Sequence, residues 1–184
     1  MPFYNITINK FSKTTKLILA IVALAFIIWL GGAILRTAIG FSVFEPSATE
    51  TLIRQTSNDI LMQTVYLFAS TSIYTSIAYI IVFILSFYLL TKFKGIFKQE
   101  GWILMCFVLF YLFSPVIIYT IYQDIRLSIA IFQQNIWEFY SQPIQDFFMK
   151  RIKSVLYNSL NGLAILSALT IVIYAIWQPL KTSE

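Results

Sequence analysis

Residues 60–91 have the sequence ILMQTVYLFASTSIYTSIAYIIVFILSFYLLT, 32 consecutive residues without a charged side chain. About 20 apolar residues in an α-helix cross the ~30 Å hydrocarbon core of a bilayer. A charged side chain at the centre of that core costs about 2.5–3.5 kcal/mol. Three more charge-free stretches cover 17–35, 101–123 and 154–180. Each stretch holds one crossing and none holds two. We therefore predict one all-α integral membrane domain, 1–184, with transmembrane helices at approximately 17–36, 62–91, 102–122 and 159–178.

The composition excludes several classes of function. Of the 184 residues, 59% are hydrophobic and 11% are charged, far from the balance of a soluble domain. Histidine is absent and Cys106 is the only cysteine, so the commonest metal ligand, the usual general base and an internal disulfide are all missing. The 13 Lys and Arg residues are scattered, not gathered on one basic face. We predict a non-enzymatic protein without metal, cofactor or nucleic-acid partner.

The distribution of cationic residues predicts the orientation. Three lysines precede the first span, and only Arg36 follows it closely, so the positive-inside rule places the amino terminus in the cytoplasm. Four spans return the carboxyl terminus to the same side, and we expect the membrane to be a bacterial inner membrane. Lysines 92, 94 and 98 agree with this orientation, whereas the cationic cluster at 150–153 opposes it. The first span is longer than a signal-peptide core, which predicts a retained helix.

Amphipathic helical extensions are predicted on the exoplasmic side of the spans. Ser47 and Glu50 have the spacing of a capping box, which predicts a helix over 48–60 leading into the second span. Apolar residues recur every three or four positions over 124–142, and Pro143 then favours a new helix over 144–158. These segments either form a small juxtamembrane bundle or lie flat in the headgroup layer.

Part of these extensions forms a candidate surface for a protein partner or for anionic lipid. A helix that is apolar on more than one side contacts something on more than one side, and nearby cations attract acidic headgroups. The candidate residues are Ile129, Phe132, Ile136, Trp137, Phe139, Lys150, Arg151 and Lys153.

Within the spans, small and hydroxyl-bearing residues predict helix contacts. Small side chains let helix backbones approach closely, and hydroxyls bond to their own helix or to a neighbour. The packing candidates are Gly31, Gly32, Ser72, Thr75, Ser76, Ala164, Ala168 and Ala175. Pro115 removes a backbone donor from the third span and predicts a kink there.

No Asp, Glu, Lys, Arg or His lies inside the four charge-free stretches, which disfavours proton-coupled transport. Asp59, Glu100 and Asp124 lie next to span ends, where we expect them to be solvated boundary residues. We therefore predict a non-catalytic accessory or assembly subunit of a larger membrane complex, in contact with the bilayer and with other subunits. The alternative is a small homo-oligomeric channel or holin-like pore around the hydroxyl-rich second span. An immunity or lipid-interacting protein is a third alternative.

Overall fold

The computed structural model describes residues 12–45 and 52–179, and its secondary structure is helical. Four long helices are α1 (Lys13–Phe41), α2 (Asn58–Phe93), α3 (Gly101–Phe132) and α6 (Val155–Trp177). Two short helices, α4 (Gln142–Ile144) and α5 (Lys150–Lys153), flank a π-helical segment at Gln145–Met149 between α3 and α6.

Each long helix is long and apolar enough to cross a membrane, with a mean hydropathy between 2.0 and 2.8 over its most apolar 18 residues. This confirms the prediction of four such helices and supports a multi-pass membrane protein. Large apolar side chains are exposed along their outer faces, as the lipid-facing surface of a bundle requires.

The four helices pack as two antiparallel pairs. α1 lies along α2, and α6 lies along α3. Contacts between α2 and α3 join the two pairs, whereas α1 and α6 have few contacts. One core lies between the helices and contains Trp29, Tyr79 and Ile117. The rings of Trp29 and Tyr79 have their centroids 5.2 Å apart.

A second core lies at the end of the bundle where α1 and α3 finish and α2 and α6 begin. It includes Val65 and Phe68 of α2, Leu127 of α3, and Phe139 and Phe148 from the chain between α3 and α6. We call residues 133–153 the cap, because they close this end of the bundle over the second core. This end is the one that the sequence predicts to be exoplasmic.

The predicted helix over 48–60 is wrong for residues 52–57 and right for 58–60. Residues 52–57 are not helical, and Phe44 and Ile53 form an isolated antiparallel bridge. α2 begins only at Asn58, after Ser57 in extended conformation. Ser47 and Glu50, which suggested an earlier start, lie outside the described residues.

The predicted helix over 124–142 ends ten residues early. α3 stops at Phe132, and Asn135 adopts a left-handed conformation with φ 51°, which asparagine tolerates better than most residues. Asn58 of α2 then binds the returning chain, donating to the carbonyl of Trp137 at 3.1 Å and accepting from the amide of Phe139 at 2.8 Å. The apolar periodicity indicates a helical face, but it does not reveal that Asn58 binds the backbone of Trp137 and Phe139.

The segment 144–158 is helical but interrupted. Pro143 lies in the first turn of α4, as its missing amide favours. The backbone then becomes extended at Ser154, with ψ 112°, and the Ser154 hydroxyl accepts from the Tyr157 amide to cap α6. The fourth long helix therefore starts at Val155, before the predicted 159. α3 is helical on both sides of Pro115, where the kink stays a prediction.

The small residues of α1 occupy different environments. A Cβ on Gly32 would overlap Cγ2 of Thr75, a fully buried residue, so the absence of a side chain lets α1 approach α2. A Cβ on Gly31, by contrast, would have no neighbouring atom within 4 Å. On α6, Ala164 and Ala168 are buried in the core between the helices, whereas Ala175 is exposed.

We predict that Gly32→Ala destabilises the protein by about 1–3 kcal/mol, because overpacking forces apart two closely packed helices. Thr75 cannot easily yield, since its β-branched side chain is stiff and its hydroxyl bonds to the carbonyl of Thr71 at 3.0 Å. Unfolding in detergent micelles measures the effect. Gly31→Ala is the matched control, and equal stability of the two variants would contradict the packing described.

Candidate functional site

A buried carboxylate joins three separate parts of the chain at the cap end of the bundle. Asp124 of α3 accepts hydrogen bonds from Arg36 near the end of α1 and from Arg151 of α5. Each arginine uses Nη1, and each binds a different oxygen of the carboxylate. We call these three residues the ionic triad.

The ionic triad is withdrawn from the surface. Asp124 is 1% exposed, Arg36 6% and Arg151 8%. The guanidinium groups of both arginines lie near the ring of Phe68, at 5.7 and 5.2 Å from its centroid, and that of Arg151 also lies 4.8 Å from the centroid of Tyr157. Aromatic faces stabilise cations that have lost water, so these rings complete the environment of the two arginines.

The expectation that Asp124 is a solvated boundary residue is therefore wrong. A buried ionic group is costly unless it is paired, and here one carboxylate is paired with two cations. The partners lie 88 and 27 residues away along the chain, a distance that sequence spacing does not report. The available signal was topological: in a four-span chain, Arg36, Asp124 and Arg151 all fall at the same end of the bundle.

The other two boundary carboxylates differ from each other. Asp59 is exposed and accepts from the indole nitrogen of Trp137 at 3.3 Å. Glu100 is only 4% exposed and accepts from the indole nitrogen of Trp102 at 2.6 Å. The solvated-boundary expectation thus holds for Asp59 and is wrong for Glu100, which lies at the opposite end from the ionic triad.

Most hydroxyl groups of α2 bond within the protein and do not line a passage. Thr71 and Thr75 donate to carbonyls one turn earlier, and Ser72 donates to the carbonyl of Ala69 at 2.7 Å. Farther along, the Tyr79 hydroxyl donates to Ser114 of α3 at 2.8 Å. Aromatic rings surround this bond, so side chains fill the space between the helices at this level. Toward the end opposite the cap, a cavity of about 360 Å³ lies between the four long helices.

Two buried hydroxyls are exceptions. Oγ of Ser76 in α2 and Oγ of Ser128 in α3 have no hydrogen-bond partner among residues 12–45 and 52–179. Both line a cavity of about 340 Å³ between these helices, which we call the α2–α3 groove. Its other lining residues are mostly isoleucines, with Ser72, Asp124, Phe132 and Gln133. Since buried polar groups are normally bonded, these two hydroxyls leave hydrogen-bonding capacity unused beside the groove.

An exposed aromatic cluster adjoins the cap end of the α2–α3 groove. The ring of Tyr66 lies 5.2 Å from that of Phe132 and 6.2 Å from that of Trp137, centroid to centroid. All three side chains are 38–46% exposed. We call them the aromatic patch. The position of Trp137 is fixed by two hydrogen bonds: Asn58 donates to its carbonyl, and its indole nitrogen donates to Asp59.

The structure divides the eight residues predicted to face a partner or lipid. Ile129 and Phe132 line the α2–α3 groove, Trp137 lies in the aromatic patch, and Lys150 and Lys153 are exposed. Ile136 packs partly buried against the cap core. One assignment is wrong, because Phe139 is fully buried in that core. Arg151 is 8% exposed and bonds to Asp124 through Nη1.

No known protein family, curated protein or solved structure matches this chain. Within the described part of the chain, acidic and cysteine side chains do not gather into a group that could hold a metal ion. The candidate site is therefore the cap end of the bundle, with the ionic triad inside it and the α2–α3 groove and aromatic patch at its surface.

We predict that Asp124→Asn destabilises the protein by about 3–5 kcal/mol, because it leaves two buried arginines without a counter-charge. Denaturation in micelles measures the loss, and Asp59→Asn provides an exposed-carboxylate control. A triple variant, Arg36→Met, Asp124→Leu and Arg151→Met, removes every charge of the ionic triad and should recover much of the stability. Equal stability of Asp124→Asn and Asp59→Asn would contradict the paired state.

Proposed function

We propose that this protein is a non-catalytic accessory subunit that holds a transmembrane helix of another membrane protein in its α2–α3 groove. The observation that supports this is the pair of unpartnered hydroxyls, Ser76 and Ser128, in a groove between two spans whose commonest lining residue is isoleucine. Ser76 lies within the second span, where water does not satisfy such a group and a helix that brings a hydroxyl or amide does. Ser128 lies one turn beyond Asp124, at the boundary of the hydrocarbon layer.

The aromatic patch supports the same proposal. Tyrosine and tryptophan are enriched among residues that dominate binding energies, above all when their position is fixed before binding. Phe132 belongs to both the aromatic patch and the lining of the α2–α3 groove, so the two form one continuous surface. A bound helix would lie along the α2–α3 groove and contact the aromatic patch where it leaves the membrane.

In this proposal the cap lies outside the hydrocarbon layer, and helix lengths support that position. From Leu17 to Arg36, α1 is about 28 Å long at 1.5 Å per residue, close to the ~30 Å thickness of that layer. The ionic triad then lies at one boundary, with the cap beyond it. We propose that this is the exoplasmic side of a bacterial inner membrane. Arg151 no longer opposes that orientation as a free cation, because it is paired with Asp124.

A second candidate function is a homo-oligomeric pore, in which the α2–α3 groove receives another copy of this chain. The same unpartnered hydroxyls favour it. The hydroxyls of Thr71, Ser72 and Thr75 do not favour a pore within the single chain, since they are already bonded to their own helix. A pore would therefore have to form between copies.

For the proposed binding of a partner helix, we expect Ile77→Trp to block the α2–α3 groove and release a co-purifying subunit. The indole would occupy space needed by the partner helix. Gentle-detergent purification with mass determination provides the measurement, and Ile84→Trp is the control because Ile84 is 60% exposed and outside the groove lining. A disulfide between Ile129→Cys residues of two copies, in a Cys106→Ser background, would identify self-association and overturn the accessory function.

For the proposed orientation, we expect Tyr140→Cys to react with an impermeant thiol reagent outside intact cells and Ile96→Cys to react only after the cells are opened. Both variants are made in a Cys106→Ser background. Tyr140 is 65% exposed on the cap, and Ile96 lies in the connection between α2 and α3 at the opposite end. The reverse pattern of labelling would place the cap in the cytoplasm.

A further inference from the structure

A second groove, between α3 and α6, changes from polar to apolar along its length. It has a volume of about 550 Å³. Gln123, Lys150, Arg151 and Ser154 line its cap end, and Val116, Leu156 and Leu160 line the part that extends toward the middle of the bundle. From Gln123 to Val116, α3 advances about 10 Å, which is the scale of a headgroup joined to the start of an acyl chain. We call this the α3–α6 groove.

The charges at its cap end leave one positive charge in excess. Among the residues that line the groove, the cations are Lys150 and Arg151 and the anion is Asp146. Two positive charges against one negative charge give +1, which one phosphodiester balances. One oxygen of the Asp146 carboxylate already accepts a hydrogen bond, from Nε2 of Gln142 at 2.9 Å.

The donors in the α3–α6 groove suit a phosphate. Arg151 donates from Nη1 to Asp124, while its Nε and Nη2 make no hydrogen bond to the described residues. Lys150 is exposed and forms no ion pair within 12–45 and 52–179. Arginine offers a planar fork and lysine a mobile point charge, a combination that binds phosphate oxygens well.

One acceptor on a side chain that lines the α3–α6 groove has unused hydrogen-bonding capacity. Oε1 of Gln123 is buried and has no hydrogen-bond partner in the described chain, while Nε2 of the same side chain donates to the Tyr119 hydroxyl at 2.9 Å. A phosphodiester has only acceptor oxygens. A headgroup with a hydroxyl beyond its phosphate supplies the missing donor.

We propose that the α3–α6 groove binds one anionic glycerophospholipid with a hydroxylated headgroup, of the phosphatidylglycerol type. The phosphate lies against Lys150 and Arg151, and the headgroup hydroxyl donates to Gln123. An acyl chain follows Leu156 and Leu160 into the leaflet next to the cap. This site is separate from the proposed partner helix and does not depend on it.

Native mass spectrometry of the detergent-solubilised full chain, titrated with phosphatidylglycerol, tests the headgroup contact. Lys150→Gln should weaken binding about fivefold, the effect of one lysine near an anionic surface. Lys153→Gln is the control, because Lys153 is an exposed cation of the same short helix but does not line the α3–α6 groove. Equal weakening by both variants would indicate general surface attraction and overturn the site.

The acyl-chain contact is tested without altering charge. Leu160→Trp should fill the apolar part of the groove and lower phosphatidylglycerol binding at least as much as Lys150→Gln, whereas Leu163→Trp, outside the lining, should leave it unchanged. Phosphatidylcholine should bind more weakly, and inorganic phosphate should not displace the lipid. Normal binding by Leu160→Trp, or displacement by millimolar phosphate, would show a small-anion site and overturn the lipid assignment.

Discussion

A carboxylate shared by two buried arginines organises the cap end of this protein. Asp124 alone would be expensive to bury, and so would either arginine; together, and against Phe68 and Tyr157, they are accommodated. The bond from Arg36 joins the two helix pairs, since α1 belongs to one pair and α3 to the other. The bond from Arg151 attaches the cap to α3. The ionic triad therefore connects three regions that are distant in the chain.

The two grooves lie at this connection. Asp124 lines the α2–α3 groove, and Arg151 lines the α3–α6 groove. Their chemistries differ: the first offers unpartnered hydroxyls among isoleucines, and the second offers cations above leucines. The first suits an apolar helix with a polar group, and the second suits an anionic lipid. An accessory subunit that binds both a partner helix and a lipid next to its cap would need no catalytic centre, and these proposals are consistent with each other.

The sequence predicted the four long helices because charge-free length depends only on local composition. It predicted less of the cap. α3 was extended past Phe132 because apolar periodicity continues to Phe139, whereas Asn58 of α2 binds the backbone there and α3 has already ended. Asp124 was taken for a solvated boundary residue because its position at a span end is visible in the sequence and its two partners are not. Likewise, Gly31 and Gly32 look equivalent in the sequence, and only the position of Thr75 distinguishes them.

The most direct test of the ionic triad as the connection between bundle and cap is hydrogen exchange, resolved by segment, in the wild type and Arg36→Gln. Arg36 belongs to α1, whereas the cap follows α3, and Asp124 is the carboxylate that both Arg36 and Arg151 of the cap bind. We expect amides of residues 142–153 to exchange faster in the variant, together with those at the end of α1, because local opening exposes both. Faster exchange confined to α1, with the cap unchanged, would contradict this connection.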